Sequence, residues 1–164
     1  PLLLELPLPM TGTGTEIEDI LVEDLSKHPW AGLPIQLTLH AEDARGQQGS
    51  TERIATVLPG RRFFDPLAAA LIEQRRDLLW TPENARRVTQ VLRAVTHRPE
   101  DIFPDGRAYL LVRAAIRRLV QVQGEEVRPP VIEEVAEVLW QAALLLEEGG
   151  LGDAAERLAR LGEA

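Results

Sequence analysis

The chain has 164 residues, a net charge of −8 and no cysteine. This length supports one or two compact domains but not a multi-domain enzyme, and the absence of cysteine excludes disulfides and thiolate metal sites. No apolar run approaches the roughly 20 residues that a membrane-spanning helix needs. Because the chain begins at Pro1 without an initiator methionine, we expect it to be a segment of a longer protein.

Charge is distributed unevenly along the chain. Residues 1–58 include three basic and nine acidic side chains, residues 59–128 include thirteen and nine, and residues 129–164 include two and eight. Phosphate repels an acidic protein, so nucleic acid is not an expected partner. The basic middle could meet the acidic ends within one molecule or between two, or the charges could cover solvated helix faces.

The first 34 residues have few regular patterns. Residues 2–9 are short, apolar and end in proline, which is typical of an edge strand, and residues 11–15 (TGTGT) form a flexible connection. Residues 16–24 alternate loosely and favour either a strand or a short amphipathic helix. Residues 28–34 (HPWAGLP) predict a turn anchored by Trp30.

The clearest strand pattern follows at residues 35–40, where Ile35, Leu37 and Leu39 alternate with polar residues. Residues 42–49 then predict a polar hairpin loop, in which Asp43 bonds to backbone donors ahead of it and glycine supplies positive φ. Residues 54–58 predict the returning strand.

Helical periodicity begins after Pro59-Gly60. Asp65-Pro66 and Thr81-Pro82-Glu83 both provide a capping side chain followed by proline, so each predicts a helix start. A third helix is expected at about residues 107–123, and a fourth from Pro129-Pro130 until Gly149-Gly150 ends it. A last helical piece covers residues 153–161. The expected inner residues of the third and fourth helices are Leu110, Leu111, Ala114, Ala115, Leu119 and Val122, and Val131, Val135, Val138, Leu139, Ala142 and Leu146.

These patterns predict an α+β protein. A small antiparallel β module occupies residues 1–60, and a four- to five-helix bundle occupies residues 61–164. Phe63, Phe64 and Trp80 are expected to fill the seam between the two modules.

No arrangement of residues predicts catalysis or a bound cofactor. The three histidines are far apart in sequence and form no helical metal pair, and His97 near a helix end suits the helix dipole. The carboxylates of residues 16–24 match no calcium loop and are interpreted as a solvated acidic face. The side chains concerned are His28, His40 and His97, with Glu16, Glu18, Asp19, Glu23 and Asp24.

Other motifs have similarly plain interpretations. The glycines of residues 11–15 lack the lysine and helix start of a phosphate loop, and nothing ties Ser26 or Ser50 to a histidine as a nucleophile. Arginines lie near aromatic residues in the middle of the chain, a combination that can bind single-stranded nucleic acid but here fits packing between modules. The residues are Arg61, Arg62, Phe63, Phe64, Arg75, Arg76, Arg86 and Arg87, with Trp30, Trp80 and Trp140 as core or junction anchors.

Several stretches resemble known proteins. Residues 6–9 (LPLP), 23–25 (EDL), 28–34 (HPWAGLP), 58–64 (LPGRRFF) and 73–76 (EQRR) are similar to a family of large proteobacterial membrane-anchored proteins of unknown function. The resemblance implies transmembrane helices ahead of a β-rich region and long helical segments, with this segment on the periplasmic side of the inner membrane. It supplies no catalytic residue.

The β module also resembles the last strands of an immunoglobulin-like sandwich, through the hairpin between residues 35–39 and 54–58. An incomplete sheet has open edges, which a second copy could cover. We therefore expect a non-enzymatic interaction or structural module, with itself or another protein as partner, and no cofactor or metal. One alternative is a ligand-binding domain for a cell-envelope component that uses a cleft between the modules, and a deep cleft lined by Arg75, Arg86 and a tryptophan would favour it. Another is a regulatory segment of an enzyme whose active site lies elsewhere.

Overall fold

A computed structural model describes residues 3–7, 20–104, 106–122 and 129–162. Short antiparallel strands occupy the first part of the chain and helices the rest, which confirms the predicted mixture of the two. The chain divides into two compact units, Pro1–Gly60 with the strands and Arg61–Ala164 with the helices.

The described strands form two small antiparallel ladders. Strand β1 (Pro34–Leu37) pairs with β4 (Ile54–Val57), and strand β2 (His40–Glu42) pairs with β3 (Gln48–Ser50). In the first ladder Pro34 lies opposite Val57 and Leu37 lies opposite Ile54. The strand predicted at residues 35–40 is therefore divided between two ladders.

The division at residues 38–39 has a local cause. The Leu39 N–H donates to Thr51 Oγ1 at 3.1 Å, and the Thr51 N–H donates to the Leu39 carbonyl at 3.0 Å. These bonds satisfy the backbone where the chain leaves β1 for β2. The apolar alternation predicted for this stretch does not bury one face, because Ile35 is half-buried whereas Leu37 and Leu39 are exposed.

The loop between β2 and β3 confirms the predicted hairpin chemistry. Asp43 Oδ1 accepts from the N–H groups of Arg45 and Gln47, each at 2.8 Å. Gly46 has φ +78°, a conformation that L side chains rarely adopt. The same two residue types that predicted the loop therefore build it.

The predicted edge strand at residues 2–9 is not formed where it is described, since residues 3–7 have no regular structure. Residues 20–24 are neither strand nor helix, which overturns both readings of that stretch in its described part. The connection at residues 11–15, the rest of the edge strand and residues 16–19 lie outside the described residues.

The helical unit contains α1 (Pro66–Trp80), a 3₁₀ turn (Pro82–Asn84), α2 (Ala85–Val95), the short α3 (Pro99–Ile102), α4 (Gly106–Gln121) and α5 (Pro129–Gly162). Helix α5 packs against both α1 and α4, and α2 packs against α1 and α4. Their shared core holds fully buried leucines and valines, each contributing about 1.5–3 kcal/mol through burial. The core includes Leu71, Leu78, Val88, Leu92, Val112, Leu119, Val135, Leu139 and Leu146.

Helix starts agree with the sequence at α1 but not at α2. Asp65 caps α1 by accepting from the Ala68 N–H at 2.8 Å, with Pro66 in the first turn. Thr81 makes no side-chain cap bond, and the chain passes through the 3₁₀ turn before α2 begins. The second capping prediction was wrong because the 3₁₀ turn at Pro82–Asn84 displaces the helix start.

Two further helical predictions need correction. Gly149-Gly150 does not end the fourth helix, because α5 continues through both glycines to Gly162. The buried side of α4 is Ala108, Val112, Ala115, Ile116 and Leu119, so Leu110 and Ala114 were wrongly placed inside. Tyr109 and Val112 compete with Leu110 for the core, and hydrophobicity alone does not rank them.

Candidate functional site

The β1–β4 ladder is exposed and has only one pairing partner on each strand. Among the described residues, β1 pairs only with β4 and β4 only with β1. Leu37 and Ile54 are cross-strand neighbours, and they are 47% and 58% exposed. Val57, at the other end of β4, is 55% exposed. An exposed apolar ladder with open edges is a template for pairing with another chain.

The turn at residues 28–34 holds the ladder in place. His28 Nδ1 accepts from the Trp30 N–H at 3.1 Å, and the two rings meet edge-to-face at 5.0 Å. The Gly32 N–H donates to the Leu58 carbonyl at 2.8 Å, with Gly32 at φ +80°. This confirms the predicted turn and assigns His28 a structural hydrogen bond.

Gly60 joins the same arrangement through close packing. A Cβ atom at Gly60 would lie 2.9 Å from Ala31 Cβ and 3.1 Å from the Gly32 nitrogen. A larger residue would displace the turn, so glycine is needed here for close approach. Two stretches that carry the family resemblance, residues 28–34 and 58–60, are thus in direct contact.

The aromatic residues of the predicted seam have different environments. The Phe63 ring packs edge-to-face on Trp140 at 5.4 Å, within the helical unit, and the Arg61 guanidinium lies 5.6 Å from the Phe63 ring centre. Phe64 is 77% exposed and Trp80 is 49% exposed. Phe63 is therefore a core anchor of the helices.

A buried arginine also packs against the Trp140 ring. The Arg75 guanidinium lies 5.3 Å from the Trp140 ring centre, and Arg75 Nε donates to the Ala136 carbonyl at 3.1 Å. Burial lowers the pKa of Arg75, an effect that nearby Glu137 opposes. Arginine stays charged even so, and a stacked planar guanidinium suits this position better than an ammonium.

Glu147 is a buried functional group that the sequence did not reveal. Its carboxylate accepts the Phe64 N–H through Oε1 at 3.0 Å and Oε2 at 2.9 Å, and Oε2 accepts the Asp65 N–H at 2.9 Å. These donors lie at the start of α1, where the helix dipole favours negative charge. Glu147 follows a leucine run and precedes two glycines, so its sequence context suggested an exposed helix end.

Within the described ranges, the residues considered for chemistry are not grouped into a site. Among the parts of the chain that are described, no three His, Asp or Glu side chains are grouped as metal ligands would be. His40 and His97 are both exposed, and His40 lies opposite Ser50 in the β2–β3 ladder without a hydrogen bond between their side chains. Ser26 donates its N–H to Asp24 Oδ1 at 2.9 Å, which lowers the pKa of Asp24.

The remaining candidates are dispersed. Glu23 and Asp24 are exposed, whereas Glu16, Glu18, Asp19 and the glycines of residues 11–15 lie outside the described residues. Arg75 is buried against Trp140, whereas Arg86 is exposed on α2. Arg87 instead pairs with Asp77.

None of the helices in the described ranges is both long enough and apolar enough to span a membrane.

The fold is thus a mixed helical and strand arrangement with an exposed sheet ladder. All 164 residues match the family described as domain of unknown function DUF4175, and the chain belongs to that family. No curated protein and no solved structure matches the chain.

Proposed function

We propose that this chain is a non-enzymatic structural and interaction module that associates with a second copy of itself. The observation that carries the proposal is the β1–β4 ladder, in which each strand has one partner among the described residues and Leu37, Ile54 and Val57 are exposed. Strand addition at an open edge satisfies backbone donors and acceptors and covers apolar side chains at once. A second copy has an identical strand edge, so one two-fold contact pairs that edge in each of the two copies.

The buried polar groups support a structural role for the helices. Glu147 is used to hold the start of α1, and Arg75 is used to join α1 to α5. Each of these bonds joins a charged side chain to the backbone of a distant part of the chain, so it stabilises the packing of the helices.

The finer architecture belongs to the same proposal. The antiparallel β1–β4 pair and the β2–β3 hairpin would be the closing strands of an immunoglobulin-like sheet, and a second copy would extend it. The packing of α5 on α1 and α4, and of α2 on α1 and α4, supports a helical bundle as the second part.

The proposed setting is the periplasmic side of the inner membrane, in a membrane-anchored parent protein. Support comes from the resemblance carried by residues 28–34 and 58–64. Fusions of the parent protein to alkaline phosphatase and to green fluorescent protein test it, since the first is active outside the cytoplasm and the second fluoresces inside. Fluorescence without phosphatase activity would contradict this placement.

Light scattering across a range of protein concentrations tests self-association. We expect a dimer that forms as concentration rises, and its loss in Leu37→Lys/Ile54→Glu. This double variant removes apolar surface but retains a favourable cross-strand pair of opposite charge. Ile102→Lys changes an apolar residue that is 40% exposed in the helical unit and should still dimerise. A strict monomer at high concentration, or equal dimer loss in both variants, would refute pairing through the ladder.

A further inference from the structure

The outer side of α4 combines arginines with apolar residues. Leu110, Arg113, Ala114 and Arg117 follow at spacings of three and four residues, so they share one face of the helix, hereafter the α4 face. All four are exposed, and Leu110 is 66% exposed. Helix α4 contains arginines but no aspartate or glutamate, so no acidic residue of the same helix offsets their charge.

Within the described ranges, no neighbouring helix supplies an ion-pair partner to the arginines of the α4 face. Arg118, on the adjacent side, pairs with Glu134 of α5 at 2.7 Å. Arg113 and Arg117 make no ion pair in the described part of the chain. Two exposed guanidinium groups beside an exposed leucine favour a partner that is both anionic and apolar.

The chain itself contains a segment of that chemistry. Residues 16–24 (EIEDILVED) carry five carboxylates among four apolar side chains. In the described portion, Ile20 is 79% exposed, Val22 is 85% exposed, and Glu23 and Asp24 are exposed. Acidic and apolar groups alternate closely here, as basic and apolar groups do on the α4 face.

We infer that the α4 face binds the acidic segment of residues 16–24 of a second copy of this chain. The inference deepens the proposed self-association and rests on it, but it uses a different surface. Opposite charge selects the partner and speeds encounter, while Leu110 and the segment's apolar residues exclude water.

Binding of a fluorescein-labelled peptide of residues 16–24 to the full chain tests the inference by fluorescence anisotropy. We expect saturable binding that weakens about tenfold in Arg113→Glu/Arg117→Glu and falls as salt rises. The matched control is Arg86→Glu/Arg93→Glu, which reverses two exposed arginines on α2 and should leave the affinity within about twofold. Leu110→Ser should weaken binding without changing its salt dependence.

Several outcomes would overturn the inference. Equal loss in the α2 control, or equal binding of a peptide whose four apolar residues are replaced by serine, would show only general charge attraction. Peptide binding that appears only after Glu16, Glu18 and Glu23 are changed to Gln, in a chain that is monomeric before and after the change, would place the chain's own segment on the α4 face. Absence of peptide binding, with Arg113- and Arg117-dependent binding to phosphatidylglycerol vesicles, would assign the face to a lipid surface.

The two self-association proposals are separable. Leu37→Lys/Ile54→Glu should retain peptide binding, because the β1–β4 ladder is not part of the α4 face. Association that survives Leu37→Lys/Ile54→Glu but not Arg113→Glu/Arg117→Glu would refute the sheet pairing alone. Association lost in Leu37→Lys/Ile54→Glu, with peptide binding that Arg113→Glu/Arg117→Glu leaves unchanged, would refute the α4 contact alone.

Discussion

The carboxylate of Glu147 holds the backbone N–H of Phe64, 83 residues earlier in the chain, with both of its oxygens. One of those oxygens also accepts from Asp65, the capping residue of α1. The start of the first helix is thereby fixed to the middle of the last. Glu147 is only 5% exposed, so little water reaches its carboxylate. The backbone N–H donors replace the hydrogen bonds that water would otherwise make to it.

Removal of the Glu147 carboxylate should therefore destabilise the helical unit. We expect Glu147→Ala to lower the free energy of unfolding by about 1–3 kcal/mol, because part-buried backbone donors lose a charged acceptor. Urea unfolding followed by circular dichroism measures this loss. Its neighbour Glu148 is exposed, so Glu148→Ala should change stability by less than about 0.5 kcal/mol. Equal losses in the two variants would refute the role of Glu147.

Arg75 should stabilise the α1–α5 contact through its guanidinium and its aliphatic stem. Arg75→Ala removes the bond to the Ala136 carbonyl, the contact with Trp140 and buried stem packing, for a loss of about 2–4 kcal/mol. Arg75→Lys retains the stem and charge but not the planar fork, so it should fall in between.

Urea unfolding followed by circular dichroism measures this loss of stability. Arg93→Ala, at an exposed position on α2, is the control and should be nearly neutral. If Arg75→Ala costs no more than Arg93→Ala, then the buried stacking contributes nothing to stability.

Gly60 should tolerate no side chain. Gly60→Ala places a Cβ 2.9 Å from that of Ala31, so the turn must move, at a cost of about 1–3 kcal/mol within the strand unit. Faster hydrogen exchange at the Gly32 and Leu58 amides would report this, since both amides bond across the junction. Ala31→Gly removes the nearest atom and should partly rescue the variant.

The control for this substitution is Gly49→Ala. A Cβ at Gly49 meets nothing within 4 Å and its φ is not positive, so exchange at the same two amides should not change. An equal effect of Gly49→Ala would show that general glycine replacement, and not the contact with Ala31, is responsible.

Gly149 and Gly150 should weaken α5 without ending it. Both lie inside the helix, and a Cβ at either meets nothing within 4 Å. Alanine at each position should stabilise the protein by about 0.5–1 kcal/mol, because glycine loses more backbone freedom in a helix. Thermal unfolding measures the gain. Destabilisation would instead indicate a helix end in the left-handed conformation, as the sequence had suggested.

Sequence patterns succeeded where the determining interaction is local. Asp43 bonds to residues two and four positions ahead, and Asp65 bonds to Ala68, so nearby residue types predict both structures. The turn at residues 28–34 follows similarly from its prolines and glycine.

Predictions failed where the determining contact is distant in sequence. They also failed where several similar apolar residues could have occupied the core. The burial of Glu147 is explained by its hydrogen bonds to residues more than 80 positions away, and no nearby sequence pattern indicates those bonds. Leu110 was expected inside because leucine is apolar, but packing of α4 turned Val112 and Ala108 inward. The glycine pair did not end α5, since the packed helix outweighs a cost of about 1 kcal/mol per glycine.

Hydrogen exchange of the backbone amides in β1 and β4, compared at low and high protein concentration, tests the proposed self-association most directly. Pairing of two copies through the ladder requires slower exchange at residues 35–37, at residues 54–57 or at both when concentration rises, with no such change in Leu37→Lys/Ile54→Glu. Identical exchange of these strands at both concentrations would contradict the account.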